Sequence, residues 1–127
     1  LLGALGVLPD NGLINDKVMS KTLDWIWQNW NWPTSWGWDF PMTAMTAARL
    51  HRPDRAVDAL VMPMQKNTYL NNGHNYQDGR LRVYLPGNGG LLTAVAMMCA
   101  GWDGSKRPNP GFPAGWDVRW EGLLPLP

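Results

Sequence analysis

Four stretches of helical spacing follow one another in this chain, and they alternate in character. Asp16–Trp30 sets Val18, Leu23, Ile26, Trp27 and Trp30 on one face and Lys17, Lys21, Asp24 and Gln28 on the other. That pattern belongs to a helix with one side in solvent. The next stretch, PMTAMTAARL from Pro41 to Leu50, carries no charge before Arg49, so it predicts a helix buried on most sides. PDRAVDALVM, from Pro53 to Met62, restores two faces, with Asp54, Arg55 and Asp58 opposed to Ala56, Val57, Leu60 and Val61. The fourth, GGLLTAVAMMCAGW from Gly89 to Trp102, again has no charged side. Charged helices outside and small-residue helices inside make two concentric layers of an all-α fold. Four helices do not close a ring. The chain also begins without methionine, inside an apolar segment, and both features lead us to expect a portion of a longer polypeptide.

Local signals set the helix ends. Asn15 or Asp16 can cap the first helix, and Pro33 stops it by disfavouring helical geometry at Trp32. Pro41 and Pro53 each suit a first helical position. Between the third and fourth helices lies a polar loop, NTYLNNGHNYQDGRLRVYLPGN, with turn signals at Asn72-Gly73 and Asp78-Gly79. Leu81, Val83 and Leu85 alternate as in a short strand. Ordered loops of this length often carry function. Residues 1–104 therefore read as helical hairpins, and 105–127 as a proline-rich linker followed by a terminal strand, WDVRWEGL, at Trp116–Leu123.

Composition removes several kinds of chemistry. The net charge is +1 and the cations are scattered, so neither a nucleic-acid partner nor an anionic membrane surface is expected. No apolar run is long enough to span a bilayer. Cys99 is the only cysteine, and His51 and His74 stand alone, so no metal site is expected. There is no P-loop and no GxSxG elbow, and Gly87–Gly90 (GNGG) reads more readily as a tight turn than as an anion cradle. No cofactor is implied. What remains is nine tryptophans against two phenylalanines, with one glutamate, Glu121, and nine aspartates.

Sugars present apolar ring faces and polar edges, so sites for them pair indole platforms with Asp, Asn, His and Gln. Two segments supply both, TSWGWDFP at Thr34–Pro41 and NNGHNYQD at Asn71–Asp78. Trp36 and Trp38 are platform candidates, although core packing is the favoured account of any single tryptophan here. Asp39 precedes a buried helix whose dipole favours its ionised form, the form a general base requires. His74, Asn75 and Gln77 divide evenly between loop-internal hydrogen bonds and ligand contact.

The succession TSWGWDFPMTAMTAARLHRPDRAVDAL, a polar loop, LPGNGGLLTAVAMMCAGWDG, a proline-rich turn and WDVRWEGL resembles the C-terminal part of the six-hairpin glycosidases. These are (α/α)6 toroids, and the likeness is to the maltose and kojibiose phosphorylase group and its hydrolytic relatives. It covers residues 32–124 and rests on order and spacing. The resemblance implies a partial toroid with a short C-terminal β-strand. It implies an oligosaccharide substrate and a working partner in the rest of the parent polypeptide. The loop at Thr34-Ser35 corresponds to the phosphate-binding loop of the phosphorylases, and in hydrolytic relatives the region holds the carboxylate that activates water. This sequence lacks a serine-rich loop and offers Asp39, which favours inverting hydrolysis with Asp39 as base. Trp36, Trp38, His74, Asn75 and Gln77 would then contact substrate, and Glu121 would be structural or touch a substrate edge. A phosphorylase and a non-catalytic glycan-binding module remain the alternatives.

Overall fold

The helix from Asp39 to Arg49, α3 below, is the one around which the others assemble. Nine of its eleven residues are buried. Ala44, Ala47 and Ala48 leave neighbouring backbones room to approach, and Thr43 and Thr46 bond back to the helix carbonyls of Asp39 (2.7 Å) and Met42 (3.0 Å). No buried hydroxyl is therefore left without a partner. The helix starts two residues before Pro41. Pro41 still costs nothing there, because a first-turn N–H has no intrahelical acceptor.

The computed structural model describes all residues, Leu1–Pro127, and the chain is mostly helical. In order, its helices are α1 (Gly3–Gly6), α2 (Asp16–Asn29), α3 (Asp39–Arg49), α4 (Pro53–Leu60) and α5 (Leu85–Ala100). A two-residue hairpin, β1 (Thr68–Tyr69) and β2 (Asn75–Tyr76), pairs antiparallel with Thr68 opposite Tyr76. Helices α1, α4 and α5 all pack on α3. The core joins Leu2 and Leu5, Met19 and Leu23 of α2, the α3 alanines, Ala56 and Ala59 of α4, and Met97 and Met98 of α5.

Helix α2 forms over the predicted stretch, but its buried face is rotated from the expected one: Val18 and Trp30 are 62% and 50% exposed, and Met19 is buried instead. The Asn15 side chain accepts the Val18 N–H at 3.1 Å, and the apolar face buries Met19 and Leu23. Its C-terminal end meets a second small core in which Trp32 stacks on Phe40 at 5.7 Å and meets Trp27 edge-on at 5.8 Å. This cluster clamps the loop between α2 and α3. Helix α4 buries Ala56 as expected and Ala59 as well, but Val61, assigned to the same face, lies just past the helix and is 68% exposed. Helix α5 departs from expectation twice. It starts at Leu85, with Pro86 in its first turn, so GNGG is helix and Leu85 is not in a strand. Only one side is buried, and Leu92 on the other is 72% exposed.

Glycines in α5 answer to close contact. A Cβ on Gly87 would sit 2.1 Å from Asn75 Oδ1, and one on Gly90 would sit 2.7 Å from the Pro41 ring. The same cause explains α1, which its glycine content hides from propensity. A Cβ on Gly6 would stand 2.4 Å from Thr46 Oγ1.

The expected terminal strand at Trp116–Leu123 does not form. Side chains tie the segment instead, with Trp120 Nε1 donating to Asn109 Oδ1 at 2.8 Å. The only strand-like contact there is one parallel bridge between Trp102 and Leu126. Nor is the proline-rich stretch a loose linker. Gly111 N–H donates to the Met98 carbonyl at the end of α5, at 3.0 Å, and Gly111 is buried.

Candidate active site

Three polar segments meet at the start of α3, and two buried amides join them. Gln77 Oε1 accepts the Gly37 N–H at 2.9 Å, while its Nε2 donates to Asn75 Oδ1 at 2.8 Å and to the Lys66 carbonyl at 2.9 Å. Asn75 Nδ2 donates to the carbonyls of Lys66 and Thr68, both at 3.1 Å. Both side chains are wholly buried. Asn88, in α5, continues the lattice by accepting the Asn75 N–H at 2.9 Å and donating to Gly73 at 2.7 Å. The fit is tight, since a Cβ on Gly37 would lie 2.0 Å from Asn75 Oδ1.

What the lattice holds in place is Asp39. Its N–H donates to the Trp36 carbonyl at 3.0 Å, and its Oδ2 accepts the Trp36 N–H at 2.9 Å. This reciprocal pair fixes the carboxyl group in the first turn of α3. Its other oxygen, Oδ1, takes no donor from the protein. The side chain borders a cleft of about 360 Å³ between α2 and the starts of α1 and α3. Trp25, Trp30, Trp32, Ile26 and Met42 give the cleft apolar walls, Thr22 and Thr43 add hydroxyls, and Asp39 is its one ionisable side chain.

Burial pushes the Asp39 carboxyl above its ordinary pKa, and the Trp36 N–H and the Lys66 ammonium pull it part of the way back. The helix start was expected to hold this group ionised. Desolvation outweighs that help, because half-burying a carboxylate among indoles penalises the charged form. The consequence is a carboxylate that is more basic when it is ionised. Tyr84 stacks on Trp36 with centroids 5.5 Å apart, and Lys66 Nζ lies 4.4 Å from the Trp36 centroid. The Tyr84 phenol is also pushed up, first by burial and then by the Asp39 charge.

The residues singled out from sequence separate into groups. Asp39 stands at the cleft. Trp36 and Trp38 are exposed and precede it in sequence, but the cleft walls are Trp25, Trp30 and Trp32. Asn75 and Gln77 spend their side chains inside the lattice. His74 is half-buried, its N–H donating to Asn72 Oδ1 at 3.1 Å, and its imidazole makes no hydrogen bond within the chain. Glu121 is exposed, far along the chain in the C-terminal coil, and forms no ion pair. Among family models, curated proteins and solved structures, nothing matches this chain. The site must be read from its own chemistry.

Trp25, Trp30, Lys66 and Tyr84 were missed. Trp25 and Trp30 carry a signal in hindsight, since they are large indoles i, i+5 apart at the end of α2, and they stay 61% and 50% exposed. Nothing in the sequence marks Lys66 or Tyr84, because their place beside Trp36 depends on the lattice. No group of His, Cys, Asp or Glu side chains is placed to hold a metal ion, and no helix is long and apolar enough to cross a membrane.

Proposed function

We propose that this chain contributes the base-bearing part of an inverting glycoside hydrolase, within a partial (α/α)6 toroid completed by the rest of a parent polypeptide. One observation carries the proposal. A carboxylate with an unengaged oxygen and a raised pKa is the sole ionisable side chain in a cleft walled by three indoles. Indole faces suit the apolar faces of sugar rings, and a desolvated carboxylate suits the removal of a proton from water. Inversion needs a second carboxyl group, the acid, about 6.5–9.5 Å from the base. No second carboxylate lines this cleft, so the acid is assigned to the parent's remaining chain. The alternation of a two-faced α2 and α4 with a buried α3 supports the toroidal arrangement.

The phosphorylase alternative has less support. Ser35 is buried and its Oγ accepts from Trp30 Nε1 at 2.9 Å, so the loop presents no serine hydroxyl to a phosphate. The test is Asp39→Asn in the full parent protein. Turnover of oligosaccharides should be lost while folding is kept, and addition of inorganic phosphate should not create a sugar phosphate product. Near-normal hydrolysis by that variant removes Asp39 from the mechanism. Binding of oligosaccharide without turnover, even in the unaltered parent, would instead favour a glycan-binding module.

A further inference from the structure

The two opposite charges nearest Trp36, Asp39 and Lys66, have no ion-pair partner, since the only salt bridges are Arg52–Asp24 and Arg119–Asp117. Each is tied to the same residue. Trp36 gives its N–H to Asp39 Oδ2 at 2.9 Å and its ring to the Lys66 ammonium, 4.4 Å from the centroid. The backbone of Lys66 is fixed as firmly as its side chain, because its carbonyl accepts from both buried amides, Asn75 and Gln77. Gln77 is in turn bonded to Gly37, next to Trp36. A chain of buried hydrogen bonds thus sets the position of this lysine relative to the carboxylate, although 27 residues separate them in sequence.

We propose that Lys66 is a positioning residue for Asp39: held over the Trp36 indole by the buried amide lattice, its ammonium is the cationic side chain that balances the carboxylate at the cleft. The inference deepens the general-base reading and rests on it for its catalytic meaning, but the placement of the two charges does not. Other groups facing Asp39 are few. From the segment before α5, Tyr84 is the titratable neighbour, and its ionisation would oppose that of Asp39. From α2 and the start of the chain the cleft receives Leu1, Leu2, Thr22, Trp25, Ile26 and Trp30, and the one titratable group among them is the α-amino group of Leu1. Helix α5, whose first turns lie against Pro41, carries no charged residue. Asp78 is the competing anion for Lys66, and it is fully exposed and engaged by the N–H groups of Arg80 and Leu81.

Replacing the lysine by methionine keeps the stem over the indole and removes the charge. The carboxyl carbon of Asp39, assigned by its loss in Asp39→Asn, can be followed by carbon NMR of the 127-residue chain from acid to neutral pH. In Lys66→Met the Asp39 midpoint should move up, and in Lys66→Arg it should return towards the wild-type position. The wild-type to methionine difference should shrink in high salt, as a screened charge interaction must. The Trp36 amide resonance reports whether the loop keeps its shape in each variant. An unchanged Asp39 midpoint in Lys66→Met with that resonance in place overturns the proposal. So does a methionine-like midpoint in Lys66→Arg. Neither result depends on hydrolysis, so the test stands apart from the activity of the parent.

Discussion

Gln77 offers the most direct test of how the site is built. Its amide satisfies the Gly37 N–H and Asn75 Oδ1, neither of which has another partner, while the Lys66 carbonyl keeps Asn75. Gln77→Leu is close in volume, so the cavity cost is small and two orphaned buried groups dominate. At about 1–3 kcal/mol for each, the loss is about 2–6 kcal/mol. A small domain holds about 5–15 kcal/mol in all, so this one amide accounts for a large share. Gln77→Glu sharpens the reasoning. One carboxylate oxygen can still accept from Gly37, but the other then faces the Lys66 carbonyl and Asn75 Oδ1, two acceptors, with a buried charge. At neutral pH the glutamate should cost more than the leucine, and it should recover partly in acid, where a protonated carboxyl can donate. Urea unfolding followed by tryptophan fluorescence measures both as midpoint shifts at unchanged slope. A leucine variant that loses less than about 1 kcal/mol would refute the lattice as a stabilising unit. A glutamate variant more stable than the leucine at neutral pH would show that the amide is oriented the other way round.

Two further outcomes follow from the same geometry. Gly87→Ala should destabilise by about 1–3 kcal/mol through overpacking against Asn75, whereas Gly89→Ala, whose Cβ meets nothing within 4 Å, should stabilise by about 0.5–1 kcal/mol as a helix-interior glycine replaced. Equal effects at the two positions in thermal melts would sink the close-contact account of GNGG. The raised pKa of Asp39 has a signed consequence for stability. A carboxyl that is harder to ionise folded than unfolded gives its stabilisation below the unfolded pKa and loses it as pH rises through the folded one. Asp39→Asn keeps an oxygen for the Trp36 N–H and never ionises, so it should melt higher than wild type at pH 7, with the gap closing below about pH 4. A lower melting point at pH 7 contradicts the burial argument.

Helices α2, α3 and α4 were legible because their patterns are local. Leu23, Ile26 and Trp27 recur at helical spacing, and the stretch from Met42 to Ala48 has no charge to place in water. The Asp39 loop stood out for the same reason, as aromatics around a lone carboxylate. For Asn75 and Gln77 nothing local decides between loop-internal hydrogen bonds and ligand contact. Their burial becomes affordable only through Gly37, Lys66 and Thr68, none of which announces the pairing in sequence. The start of α5 was hidden by glycines that suggest a turn, although two of them serve contact with Asn75 and Pro41. The final segment alternates like a strand, yet no ladder forms there.

The bond from Gly37 to Gln77 spans 40 residues, and that span sets an order of events. A contact so distant in sequence closes only after loop entropy has been spent, so it forms late compared with the turns of α2 and α3. During synthesis, Trp36 and Asp39 emerge well before the amides that shape their loop, and before Gly87, against which Asn75 must fit. The carboxylate therefore exists as a residue long before it exists as a site. Any intermediate that has folded α2 to α4 alone carries the helices without the geometry, and the last polar loop to arrive converts one into the other.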